Sequence, residues 1–273
     1  MARDEVLNFP GRKWMMRKPR NSPSKSLRVI AGFATAAVRD EASDLDIVAA
    51  IDESSTSGTI IMLSRRNLIL TAFWIIAFII ALLLDDRIAY WVHTSGLGKA
   101  VEGKWWAQII KVPGDFGFTI AVAALLAIFK QIQPRQAVFV VLASVVSGTN
   151  ALVKWMVGRF RPYKFPGSDG LFPFHFHPLF HGLPGLFNQH DLCFPSGHEC
   201  TAGALATAMV LVWPRGAWIF IVLAILVGIE RPAENAHYAS DVIGAMGFAI
   251  VLTVLLHKAL AGWLQPTQKW VDA

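Results

Sequence analysis

The chain is built around long apolar runs, and the first of them restricts what it can fold into. From Leu68 to Leu84 only Thr71 interrupts seventeen positions of apolar text, with Arg65 and Arg66 before it and Asp85 and Asp86 after it. In hydrocarbon a backbone of that length satisfies its own polar groups only as a helix or in a closed barrel. With positive charge on its entry side, the run is read as a transmembrane helix ending at the aspartates. Five further spans follow at about Phe116 to Phe129 (or from Pro113), Ala137 to Val157, Ser196 to Trp213, Ala217 to Ile229 and Tyr238 to Trp263. The fifth is short against the ~20 residues a straight helix needs to cross a bilayer. The expected fold is all-α, a bundle of six transmembrane helices with both ends on one side.

Composition agrees with that reading. Charged residues make up only 16% of the 273 positions, too few to cover a soluble domain of this size, and the mean hydropathy is +0.47. The net charge of +6 does not indicate nucleic acid, because the basic residues gather in the tail and in short motifs instead of forming a basic helix. A basic tail beside anionic lipid accounts for them. Residues 1–64 read as a disordered cytoplasmic tail, first basic, then acidic from Arg39 to Asp46; 65–264 form the membrane domain, and 265–273 a short C-terminal tail. The first apolar run starts too late for a signal peptide. Arg65 and Arg66 predict a cytoplasmic N-terminus in a multi-pass protein of the cell membrane, although Lys99, Lys104 and Lys111 then fall outside against the positive-inside trend. Trp91, Trp105 and Trp106 fit an interfacial belt. Cys193 and Cys200 make neither a metal-ligand pattern nor a disulfide framework and read as small buried side chains.

Three stretches stand out against this scaffold. In the third span Ser147, Asn150, Lys154, Gly158 and Arg161 recur at helical spacing, so Lys154 and Arg161 are expected to address one point from about two turns of one helix. Arg159 lies off that stripe and is expected to snorkel to the interface. The fourth span opens with Pro195, Ser196, Gly197 and His198, a helix start whose unpaired N–H groups suit an anion. Glu199, about 100° further round that helix, is left outside the site. The sixth span opens with His237 and Asp241, at i and i+4 on one face, where a carboxylate can fix the tautomer of a nucleophilic imidazole. Arg231 precedes them across a short loop.

Together these stretches resemble the signature of the type 2 phosphatidic acid phosphatase and vanadium haloperoxidase superfamily: Lys-x6-Arg-Pro at Lys154, Arg161 and Pro162; Pro-Ser-Gly-His at 195–198; and Ser-Arg-x5-His-x3-Asp at Arg231, His237 and Asp241, with Glu230 where the family has serine. The similarity runs from about Asp85, including Pro113, Gly114 and Asp115, to the end of the sixth span. The resemblance implies that His237 attacks phosphorus, that Asp241 holds its ring, and that His198 protonates the leaving oxygen. It also implies that Lys154, Arg161, Arg231, Ser196 and the Gly197 N–H bind the phosphate, with no metal and no cofactor. A carboxylate at 230 is expected to pair with Arg231 so as not to repel the substrate.

The expected activity is hydrolysis of a lipid phosphomonoester or pyrophosphate on the extracytoplasmic face through a phosphohistidine. A lipid phosphotransferase using the same site is the nearest alternative; a vanadate-dependent haloperoxidase or a non-enzymatic transporter is more distant. The expected partners are a phosphorylated lipid and the bilayer. The motifs carry no signal for oligomeric state or for which lipid bears the phosphate. The loop from Tyr163 to Phe194, rich in Phe and His, is read as an interfacial guide for lipid and not as a zinc site, because no cysteine or carboxylate set completes its His-x-His text.

Overall fold

The computed structural model describes residues 65–164, 176–179 and 182–265. The tail expected over 1–64, residues 266–273, and His175, His181, Phe172, Phe174 and Phe180 of the outer loop lie outside the described residues. The described chain is helical. Its longer helices are α1 (Arg65–Thr94), α3 (Trp105–Lys111), α4 (Phe116–Ile128), α5 (Pro134–Ser147), α6 (Asn150–Val157), α8 (Gly197–Val212), α9 (Ala217–Ala233) and α10 (Ala239–Ala259). Short helices α2 (Leu97–Val101), α7 (Gly182–Gly185) and α11 (Ala261–Leu264) join or end them. Among the described residues β-structure is limited to two isolated antiparallel bridges, Arg159 with Phe176 and Phe160 with Leu192.

Three stretches are long and apolar enough to cross a membrane: Asn67–Thr94, Pro134–Val157 and Ala239–Ala259. A fourth is broken, with Trp105–Gly114 meeting Phe116–Ile128 at 67°. The helices at the fourth and fifth expected spans, α8 and α9, have 16 and 17 residues. At about 1.5 Å per residue each is somewhat shorter than a 30 Å hydrocarbon layer.

The helix α1 does not stop at the aspartates, as expected from sequence, but continues to Thr94. The reason is that Asp85 does not face an aqueous boundary. It is 2% exposed and points into the bundle. Much of the first part of α1 is turned outward, with Leu68, Ile69, Leu70, Phe73, Ile76 and Ile80 each at least half exposed. A continuous apolar face of that extent calls for lipid around it.

The central helix is α8, packed against α5, α9 and α10. Its sequence explains the position: Ala202, Gly203, Ala204, Ala206 and Ala208 leave little side chain between backbones, so neighbours approach closely. Leu205 and Met209 fill the remaining gaps beside Phe139, Val140, Phe220 and Val227. Because α8 begins at Gly197, this packing sets the N-terminus of the central helix beside the ends of α6, α9 and α10.

Candidate active site

The polar stripe on the third span is broken before it reaches Arg161. Helix α6 ends at Val157, and Gly158 adopts φ 64°, a left-handed helix cap. Only glycine fits there: a Cβ would lie 1.9 Å from the His177 carbonyl oxygen. Arg161 therefore reaches the site from an extended segment instead of from two turns of continuous helix. Its backbone N–H donates to the Asp191 carbonyl at 3.0 Å. Its side chain is steadied by the carbonyls of His190 (Nε, 2.8 Å) and Ala236 (Nη1, 3.4 Å).

The turn at Gly158 also redirects Arg159, and here the expectation of a snorkelling arginine is overturned. Arg159 is 4% exposed. Nη1 donates to Asp241 Oδ1 at 2.7 Å and to Ser240 Oγ at 2.8 Å; Nη2 donates to Asp85 Oδ2 at 2.8 Å. The guanidinium carbon lies 3.9 Å from the centre of the Tyr238 ring. Two carboxylates raise its pKa and hold its charge in place although burial alone would lower it.

A cavity of about 370 Å³ opens where these elements meet. Its wall includes Lys154, Arg161, Gly197, His198 and His237, so all three sequence stretches contribute to one space. Asn150, Thr201, Asp115 and the Gly114 backbone complete the polar part of the wall. Ser196, Arg231 and Asp241, expected in the site, are buried and are not among its lining residues. The Ser196 backbone N–H donates to the Asp241 carbonyl at 3.2 Å, which ties the start of α8 to the start of α10. Ser196 Oγ is fully buried and has no hydrogen-bond partner among the described residues.

His237 precedes α10 and is 3% exposed. Its Nδ1 lies 3.6 Å from Asp241 Oδ2, an ion-pair distance slightly too long for a hydrogen bond. Asp241 is held from both sides, since Oδ1 accepts from Arg159 and Oδ2 accepts the Tyr238 N–H at 2.9 Å. Burial pushes the His237 imidazole down to about 4, against the pull of Asp241 and with help from Arg161 and Lys154. The ring is therefore neutral near neutral pH, with Nε2 available on the side away from Asp241.

His198 sits in the first turn of α8, with Nε2 3.4 Å from Asp115 Oδ1. The chain at Gly114 passes so close that a Cβ there would lie 2.6 Å from the His198 Cβ. Asp115 is a cavity residue that motif reasoning passed over, although Pro113, Gly114 and Asp115 were visible just before the second span. Glu199 points away from the cavity, 1% exposed against Gly228 of α9. Arg231 is 3% exposed. Its Nε donates to Glu230 Oε2 at 2.5 Å, and its Nη2 donates to Glu230 Oε1 and pairs with Glu234 Oε2, both at 2.6 Å. Glu230 thus pairs with Arg231 as expected, and Glu234 adds a second carboxylate that the motif did not indicate. Cys193 and Cys200 are both free and buried. Among the described residues no cluster of three or more His, Cys, Asp or Glu side chains could hold a metal ion.

Two cations, two imidazoles and a helix N-terminus line one cavity, an arrangement whose chemistry suits an anion, in a bundle of membrane-type helices. Residues 133–264 match the model of the PAP2 superfamily. The chain is 38% identical over 114 residues to the lipid A 1-phosphatase of Rhizobium johnstonii, covering 41% of this chain and 42% of that protein. It is 39% identical over 107 residues to the lipid A 1-phosphatase of Rhizobium etli, covering 38% and 41%. It is 29% identical over 86 residues to the undecaprenyl-diphosphatase BcrC of Bacillus subtilis, covering 32% and 43%. The chain thus spans about two fifths of the length of the curated relatives it matches. No solved structure matches it.

Proposed function

We propose that this protein is an integral-membrane lipid phosphatase that hydrolyses a lipid phosphomonoester or pyrophosphate at the extracytoplasmic face. The observation that carries this reading is the single cavity shared by Lys154, Arg161, His198 and His237. In the proposed reaction His237 Nε2 attacks phosphorus as the bond to the lipid oxygen breaks. His198 gives its proton to that oxygen, so a lipid alcohol (or a lipid monophosphate, from a pyrophosphate) departs. Water then attacks the phosphohistidine; His198 takes back a proton, the P–N bond breaks, and inorganic phosphate leaves. Asp241 stabilises the positive charge that His237 acquires. Lys154, Arg161 and the Gly197 N–H meet the equatorial oxygens, and Arg231 and the Ser196 hydroxyl, outside the lining, support them. These fixed charges take the part that a metal ion plays in many phosphoryl-transfer sites, so activity is expected to persist in excess EDTA.

The bilayer enters the proposal through the fold. Helices α8 and α9, added to the three long spans and the bent pair, make six crossings, with both ends in the cytoplasm. The relatives' names put lipid A 1-phosphate and undecaprenyl diphosphate first in a substrate panel. The test is phosphate release from that panel by the purified protein and by His237→Ala. Release that falls by at least a thousandfold in the variant supports the reading. An inactive wild type, or an active variant, overturns it.

A further inference from the structure

A densely bonded polar cluster joins α1 to the start of α10. We propose that Asp85 is a positioning residue for the His237 nucleophile, acting through Arg159 and Asp241. This rests on the phosphatase reading above and deepens it.

The location of Asp85 is the first argument. It sits on a helix whose other large side chains mostly face outward, yet it is 2% exposed. A lone carboxylate there would be very costly, so it persists only where partners are supplied. Both oxygens are occupied. Oδ1 accepts the Ser240 backbone N–H at 3.0 Å; Oδ2 accepts from Arg159 Nη2 at 2.8 Å and from the Ser240 hydroxyl.

The second argument is connectivity. Arg159 is a rigid fork whose two terminal nitrogens serve different carboxylates, Nη2 serving Asp85 and Nη1 serving Asp241. Asp241 in turn faces His237 Nδ1. Ser240, bonded to Asp85 through backbone and side chain, lies between His237 and Asp241 in the chain. Asp85 therefore grips the first turn of α10 directly and through the guanidinium.

The third argument is charge. Were Asp241 the only partner of Arg159, the cation would neutralise most of the potential that orients the imidazole. Asp85 shares the guanidinium, so Asp241 retains the negative potential that stabilises the positive His237 formed on attack. Asp85 also lies outside the matched stretch 133–264, so the matched domain borrows this support from the preceding helix.

The test uses the full chain purified in lipid nanodiscs, with the lipid phosphate on which the wild type is active. Turnover is expressed per folded molecule. Asp85→Asn keeps the shape and removes the charge. A kcat at least tenfold lower, with KM within threefold of wild type, is expected, and rapid-quench trapping should show slower formation of the phosphohistidine. Asp85→Glu, which restores the charge on a longer stem, should recover part of that kcat. A smaller fall in Asp85→Asn, a loss carried by KM, or no recovery in Asp85→Glu overturns the proposal. If Asp85→Asn yields no folded protein while the wild type folds, Asp85 is assigned to structure only and the proposal is overturned. An inactive wild type or an active His237→Ala instead sinks the phosphatase reading.

Discussion

At the scale of the residue, Arg231 and His237 show how neighbours set the chemistry. Arg231 lies between two carboxylates, so its charge is largely spent on its own helix. Removing the sole partner of a buried charge costs about 3–5 kcal/mol. In Glu230→Ser, Arg231 keeps Glu234, so a smaller stability loss of about 1–3 kcal/mol is expected in thermal unfolding. The same variant should lower kcat/KM about tenfold, which corresponds to about 1.4 kcal/mol, because Arg231 is then free to swing towards Glu234. A rise in activity would show that Glu230 competes with phosphate and does not position the arginine.

His237 makes a prediction of definite sign. Its imidazole is held at about 4 in the fold, whereas an unfolded histidine titrates near 6.5. Between those values the unfolded chain binds the extra proton, so stability declines as pH falls through that window and is fully present above it. The unfolding midpoint of His237→Gln should therefore depend less steeply on pH between 7 and 5 than that of the wild type. Equal slopes would mean that the native imidazole titrates normally.

Lys154, His198 and His237 were legible from the sequence because an ionisable side chain in or beside an apolar run needs a reason to be there. Asp85 and Arg159 carry just as strong a signal, but each sits where a span was expected to end. A charge at a boundary looks solvated until its partner is known. Their partners are 74 and 82 positions away along the chain, and nothing local reports them.

At the scale of the element, the apolar runs gave the helices, but their breaks follow from single residues. The third run ends in a left-handed turn at Gly158, and the second begins with a 67° bend at Asp115. Both breaks put polar groups into the cavity wall that a straight helix would have carried past it. Gly158→Ala tests this directly. The left-handed conformation costs a non-glycine residue about 1–2 kcal/mol, and the Cβ must also push aside the His177 carbonyl. A stability loss above about 2 kcal/mol is expected, together with a fall of at least a hundredfold in phosphate release, since Arg159 and Arg161 both hang from this turn. Wild-type activity in Gly158→Ala would mean that the turn does not aim the arginines.

At the scale of the whole molecule, the three lysines that oppose the positive-inside trend acquire a reason. Lys99, Lys104 and Lys111 lie on the segment that leads into Gly114 and Asp115 of the cavity wall. On the proposed reading, positive charge beside a site for anionic headgroups would raise the local substrate concentration. The proposed orientation then follows from Arg65 and Arg66 alone, and it can be checked without any substrate. Cys193 and Cys200 are both 0% exposed, so the native chain should resist a membrane-impermeant maleimide. Phe187, 90% exposed in the segment that leads to Gly197 of the cavity wall, offers a reporter position. In intact cells or spheroplasts Phe187→Cys should label without permeabilisation, whereas Ser24→Cys in the N-terminal tail should label only after it. The reverse pattern would place the cavity on the cytoplasmic side. The helices and their packing would stand, but substrate would have to be presented from the inner leaflet.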